Sequence, residues 1–342
     1  IYACRNIPEG RLWGKAYFSA VTRSIGTEMT EFADVTELPS SSDTLPDRDA
    51  WEQKMERATE DSGYFHSLGD AHWAYFADEG TTLLVSFETI DSVLARPDQM
   101  PLADSLARAH GWSVLTIIAD GATWFRDPAV YGFFDRQVDD AFFEDFDQVL
   151  FYGAGMAGYA ACAFAVTAPG AQVLALNPRA TQEPAQSRWD RRDLAARRLD
   201  FTSRYGYAPD MLEGAAQAVV IHDPALAAEA MHASLFRAPY VTRLSARHMG
   251  DALEPAFSGC GILPALVDQA MAGVLTEHSF AQLWRARRNY SPYLRALLAK
   301  TENLGRTKLA IMVCRSVTQR LRAPSFARRL AKLTDRIAGS EA

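Results

Sequence analysis

Gln148-Val149-Leu150-Phe151-Tyr152 runs straight into Gly153-Ala154-Gly155-Met156-Ala157-Gly158 and then into Tyr159-Ala160-Ala161-Cys162-Ala163-Phe164. An apolar run, a glycine-rich turn and a stretch of small helix formers predict a strand, a tight reversal and a helix. Glycine is needed there because a side chain would obstruct either a positive φ or a close approach of backbone. Gly153, Gly155 and Gly158 satisfy G-x-G-x-x-G, a turn whose N–H groups and helix N-terminus can hold a pyrophosphate; FAD or NAD(P) is the cofactor under that reading. It calls for an acidic residue about 20 positions further on, at the end of the next strand. Asn177 stands there, followed by Pro178 and Arg179, and an arginine in that place would suit a 2′-phosphate.

Outward from the turn, short apolar runs alternate with longer polar or helical stretches, the pattern of buried parallel strands in an α/β sheet. The runs are Thr82–Phe87, Ser113–Ala119, Gln148–Tyr152, Gln172–Leu176, Ala218–His222 and Tyr240–Leu244. Helices are predicted over Met100–His110, Gly158–Thr167 and Pro224–Leu235, and Ser187–Tyr207 reads as a charged helical insertion. The expected fold is α/β: a mainly parallel sheet with helices on both faces, an irregular N-terminal arm and a basic helical C-terminal extension. Boundaries are set at 1–63 for the arm, 64–275 for the sheet domain and 276–342 for the extension. The arm includes the turn-rich loop Leu38–Asp47 and a short polar helix over Asp49–Glu60. The extension holds helices over Ser279–Leu298 and Thr307–Leu321, with a last basic helix after Pro324.

Several strands precede the glycine turn, whereas a dinucleotide fingerprint usually follows the first strand of its domain. The decapeptide Tyr152-Gly153-Ala154-Gly155-Met156-Ala157-Gly158-Tyr159-Ala160-Ala161 resembles the serine-hydrolase pattern F/Y-G-x-S-M-G-G-Y-A-A, the nucleophile elbow of the α/β-hydrolase superfamily. Gly155 stands where serine belongs, and Ala157 replaces a glycine. The resemblance spans about Thr81 to Val267 and implies a nucleophile, an acid and a histidine after successive strands. Asp223 follows the fifth run and His248 the sixth, so the order is met. It also implies an oxyanion donor at the Met156 backbone N–H, with Ser86–Asp91 lining the same side. Each residue has a plainer role to set beside this one. Asp223 before Pro224 is also a helix N-cap with proline at N1, a histidine such as His248 in a loop is an ordinary surface residue, and His222 can satisfy a core hydrogen bond. Trp124 and Arg126 could bind a sugar or an anion, or simply anchor their loop.

Glycine offers no nucleophile, and Ala154 and Met156 cannot supply one, so serine-hydrolase chemistry at position 155 is excluded. The expected function is a non-catalytic domain that binds a small molecule or a protein partner, with no cofactor. A hydrolase or lyase using Asp223 and His248 to activate water is an alternative, as is a nucleotide-binding oxidoreductase using the three glycines. The chain has 342 residues, 48% hydrophobic and 23% charged, which fits a globular protein. Cys4, Cys162, Cys260 and Cys314 lie far apart without a CxxC pair, so neither zinc site nor disulfide framework is read, and Cys260 has no partner for thiol-reductase chemistry. No stretch is long and apolar enough to cross a membrane, and a cytoplasmic location is expected. The net charge of −7 divides into 14 Lys or Arg against 3 Asp or Glu from Ala281 to Ala342, or +11, and −18 elsewhere. Such a tail is expected to contact an acidic surface of the same chain or a partner rather than nucleic acid.

Overall fold

The computed structural model describes residues 48–338. The loop at Leu38–Asp47 and most of the expected arm lie outside them. Described residues fall into two units, a body to Ala296 and a C-terminal unit from Leu297.

The body is built on an eight-stranded sheet in the order β1-β2-β4-β3-β5-β6-β7-β8. Its strands are β1 (Gly63–Ser67), β2 (His72–Ala77), β3 (Thr82–Thr89), β4 (Ser113–Ala119), β5 (Gln148–Ala154), β6 (Gln172–Leu176), β7 (Gln217–His222) and β8 (Val241–Ser245). β2 runs antiparallel to both β1 and β4, and every other neighbouring pair is parallel. A reversed second strand and an exchange of the third and fourth make this the strand order of the α/β-hydrolase fold. All six expected strands are present. β1 and β2 were not among them, whereas the short helix expected over Asp49–Glu60 is present as α1 (Arg48–Ala58). β2 is buried along its length, but through Trp73, Tyr75 and Phe76 rather than an aliphatic run.

Alternating strand residues feed two cores. On one face, Leu83, Val85, Phe87 and Phe151 pack with α4 (Pro128–Asp139), α5 (Met156–Phe164) and α6 (Ala227–Leu235). On the other, Leu84, Leu150, Leu174 and Ile221 pack with α1, α2 (Ile90–Leu94), α3 (Leu102–Arg108), α7 (Leu253–Gly259) and α8 (Leu263–Met271). Burial on both faces is why these strands are rich in Val, Ile and Leu.

Two helical expectations are corrected. Ser187–Tyr207 is not a helix: one helical turn, Pro184–Ser187, and a 3-10 turn, Ala196–Arg198, are set in irregular chain. Its aspartates bond the local backbone, Asp190 accepting from Arg192 N–H, Asp193 from Ala196 N–H and Asp200 from Thr202 and Ser203 N–H. Those bonds compete with a helical ladder. Ser279–Leu298 is divided into α9 (Glu277–Leu283), a 3-10 stretch Trp284–Asn289 and α10 (Ser291–Asn303). Pro292 has no N–H to donate into a preceding turn, so the helix restarts there. In the C-terminal unit, α11 (Thr307–Arg320) packs on α12 (Pro324–Ala338).

Candidate functional site

At the carboxyl end of β5 the chain reverses into α5 through Gly155, whose φ is 59° and ψ −116°. These are the angles of the first central residue of a type II′ turn, which glycine alone adopts without strain. The three glycines have different reasons to be there. A Cβ on Gly153 would collide with the Ala157 carbonyl, and one on Gly158 would lie 3.1 Å from Gly153 O and 3.3 Å from Leu176 O. Beside Gly155 a Cβ would meet nothing within 4 Å. Gly153 and Gly158 thus let strand and helix approach, whereas Gly155 opens on space. Gly155 gives α5 no side-chain cap, and the first N–H groups of a helix, those of Met156 and Ala157, have no partner inside it.

Neighbouring loops are tied to this turn by a chain of short bonds. Gly155 N–H donates to Leu176 O at 2.8 Å, and Asn177 N–H to Ile221 O at 2.7 Å. Buried Asn177 accepts from Asp223 N–H at 3.2 Å and donates to Asp251 O at 2.8 Å. Buried Asp223 accepts from Ala225 N–H at 2.8 Å and from the main-chain N–H groups of His248 and Gly250, both at 2.9 Å. Asp223 and His248 are therefore brought together, with the carboxylate gripping the backbone of the histidine loop. His248 itself sits at φ 69°, in the left-handed region, and is half-buried. Asp223 is not the cap of α6, which begins at Ala227 after Leu226; it closes a turn before it. His222 does not satisfy a core hydrogen bond through Nδ1, which is buried without a partner. Burial, and then Arg243, lower its pKa.

The loop after β4 holds Trp124 and Phe125 at φ 57° and 54°. Left-handed conformations in such bulky residues cost about 1–3 kcal/mol each and persist only where surroundings impose them. Here Trp124 N–H donates to the Met156 sulfur at 3.2 Å and its indole N–H to Asp193 at 2.9 Å. Arg126 is buried and donates to the carbonyls of Asp200 and Arg204 and to the Ser203 hydroxyl. Trp124 and Arg126 thus anchor their loop to the insertion between β6 and β7. Arg179 lies over the Trp124 ring at 5.0 Å, and its Nη1 is buried without a hydrogen bond.

Two ionic clusters had no counterpart in the sequence reading. Where α6 meets the insertion, His232 Nε2 donates to Asp190 at 2.9 Å while its Nδ1 accepts from Ala180 N–H, so the ring is neutral and both nitrogens are used. Burial lowers its pKa to about 4. Burial would raise Asp190, but hydrogen bonds from Arg192 and His232 hold it well below the usual carboxylate range. Arg192 also pairs with Glu229. On the opposite face, Glu88 at the end of β3 pairs with Arg96 at 2.6 Å and accepts from Leu102 N–H, while Tyr152 donates to Glu254 at 2.8 Å. Burial pushes Glu88 up to about 7; Arg96 opposes this, and the nearby Glu254 reinforces it. An acid ending an otherwise apolar strand was the available signal for Glu88.

Among the described residues no cluster of His, Cys, Asp or Glu is arranged to hold a metal, and no helix is long and apolar enough to cross a membrane. Cys162, Cys260 and Cys314 are free thiols, and burial raises each, Cys260 to about 11.

No family model matches the chain, and no curated protein does. Solved structures align with part of the chain at low identity. An S-formylglutathione hydrolase from Agrobacterium tumefaciens aligns at 11% identity over 61% of this chain and 94% of its own, with a TM-score of 0.40. The esterase domain of a Rhodothermus marinus protein aligns at 15% over 58% and 92%, with a TM-score of 0.37. The capsule O-acetyltransferase of Neisseria meningitidis serogroup A aligns at 10% over 59% and 94%, with a TM-score of 0.37. Such likeness carries no activity across, and it is the strand order, with its reversed second strand, that identifies the chain as an α/β-hydrolase fold.

Proposed function

We propose that this protein binds a small molecule at the elbow of its α/β-hydrolase fold and does not form an acyl-enzyme. The observation that carries the reading is the open space beside Gly155, where the main chain keeps the turn and no side chain fills it. Covalent acyl transfer needs a nucleophile next to its base, and glycine offers none. Cys162 cannot substitute, because it is fully buried and its thiol is held protonated. That open space lies beside the first N–H groups of α5, which have no partner within the helix, a place suited to the carbonyl or carboxylate end of a ligand.

Asp223 holding the His248 loop at the same end of the sheet favours one second reading, a water molecule activated by that histidine. The dinucleotide reading is weaker, since the amide of Asn177 is spent on Asp223 and Asp251 and no acid stands where a ribose would need one.

Thermal-shift titration of the protein with carboxylates, their esters, FAD and NADP distinguishes these. The expected result is stabilisation by a carboxylate or ester, with no turnover and no covalent labelling by a fluorophosphonate. Stabilisation by a dinucleotide alone, or ester turnover abolished by His248→Ala, overturns it.

A further inference from the structure

Seven large hydrophobic side chains are exposed among the described residues, and three fall within nine positions of the C-terminal unit. They are Leu304, Leu309 and Met312, at 58%, 41% and 63% exposure, the last two on α11. Helical spacing separates the two sides of α11. Ala310, Ile311, Cys314 and Val317 are buried, whereas Lys308, Leu309, Met312, Arg315, Ser316 and Gln319 are exposed. The outward side thus sets two long apolar side chains between two cations. No acidic residue occurs in α11, and residues 297–338 carry ten Lys or Arg against Glu302 and Asp335. Glu302 is already paired with Arg329.

We propose that this face of α11 is a docking surface for an anionic lipid bilayer. A helix lying in the plane of a membrane buries its apolar residues at the boundary of headgroups and acyl chains, while Lys and Arg stems extend to the phosphates. Leu309 and Met312 have the length for the first task, and Lys308 and Arg315, one turn either side of Met312, are placed for the second. Nucleic acid would use the same cations but leave the apolar side chains in water; an anionic bilayer uses both. The predominance of cations throughout the unit fits a negative surface, whose attraction falls off within a Debye length.

The test is flotation of the whole protein with phosphatidylcholine vesicles and with vesicles also containing phosphatidylserine, at low and high salt. Expected is binding to the anionic vesicles alone, lost at high salt. Met312→Glu, and separately Lys308→Glu with Arg315→Glu, lower the bound fraction while the melting curve stays unchanged, by about fivefold for each cation lost. All three positions are exposed, so folding is not at stake. Failure to float with anionic vesicles, equal binding to neutral ones, or insensitivity to both variants overturns the proposal. So does retention on duplex DNA without vesicle binding.

Discussion

The turn between β5 and α5 and the insertion between β6 and β7 meet at Trp124, which donates its main-chain N–H to Met156 and its indole N–H to Asp193. One is made mostly of residues with small side chains or none and leaves space at Gly155; the other buries Asp190 against His232 of α6 and leaves no space there. The contrast shows how a loop-rich end of a sheet can be both rigid and open. The insertion holds Trp124 and Arg126 in place, while Gly153 and Gly158 pack closely and Gly155 alone of the three glycines faces open space. Function is accordingly expected at the open turn, and stability in the insertion.

The sharpest test of that division is Asp190→Ala. It leaves Arg192 and His232 without their shared partner, and breaking a buried pair by removing one member costs about 3–5 kcal/mol. Because Arg192 is partly exposed, the lower end is expected, about 3 kcal/mol. A denaturant midpoint close to the parent value would show that the insertion is not where stability resides.

Next come the two glycines of the turn itself. Gly153→Ala forces a methyl against the Ala157 carbonyl and costs about 2–3 kcal/mol. Gly155→Ala adds only the strain of a positive φ, about 1 kcal/mol. Equal losses in urea unfolding would contradict the open space.

Glu88 separates pH from packing. Its pKa in the folded protein is raised to about 7, because burial disfavours the charged form. Folding therefore favours the protonated acid: its contribution is fully present below the unfolded value, near 4.5, and is lost as pH rises towards 7. This group alone should lower stability across that window with a slope of up to about 1.4 kcal/mol per pH unit. His232, lowered to about 4 by burial, contributes the opposite slope over much of the same range, so the test is the difference between the parent and Glu88→Gln: it should decline across the window, and a difference independent of pH would show that the carboxyl is not held protonated.

Much of this was legible in the sequence, for reasons that differ by element. β3 to β7 are readable because strands buried on both faces must be nearly continuous apolar runs, and the turn at Gly153–Gly158 because its geometry needs glycine at three positions. β2 escaped because its burial is carried by aromatic residues in an aliphatic search. Ser187–Tyr207 misled because charge at helical spacing does not reveal that Asp190, Asp193 and Asp200 bond their own backbone. At the site, the order of Asp223 and His248 was readable from strand order alone. That Asp223 grips the main chain of the His248 loop was not, since that bond depends on where two loops meet in space. Glu88, Tyr152 and Glu254 belong to a strand, another strand and a helix far apart in sequence, and only the packing of α7 on the sheet joins Tyr152 to Glu254.

The proposed binding site rests on reading the turn at Gly155 as a nucleophile elbow that lacks its nucleophile. Gly155→Ser, treated with a labelled fluorophosphonate alongside the parent and a variant also carrying His248→Ala, tests it most directly. Expected are no labelling of the parent, labelling at position 155 in the single variant, and its loss in the double variant. Labelling of the parent protein, or a folded Gly155→Ser variant that stays unmodified, would contradict it.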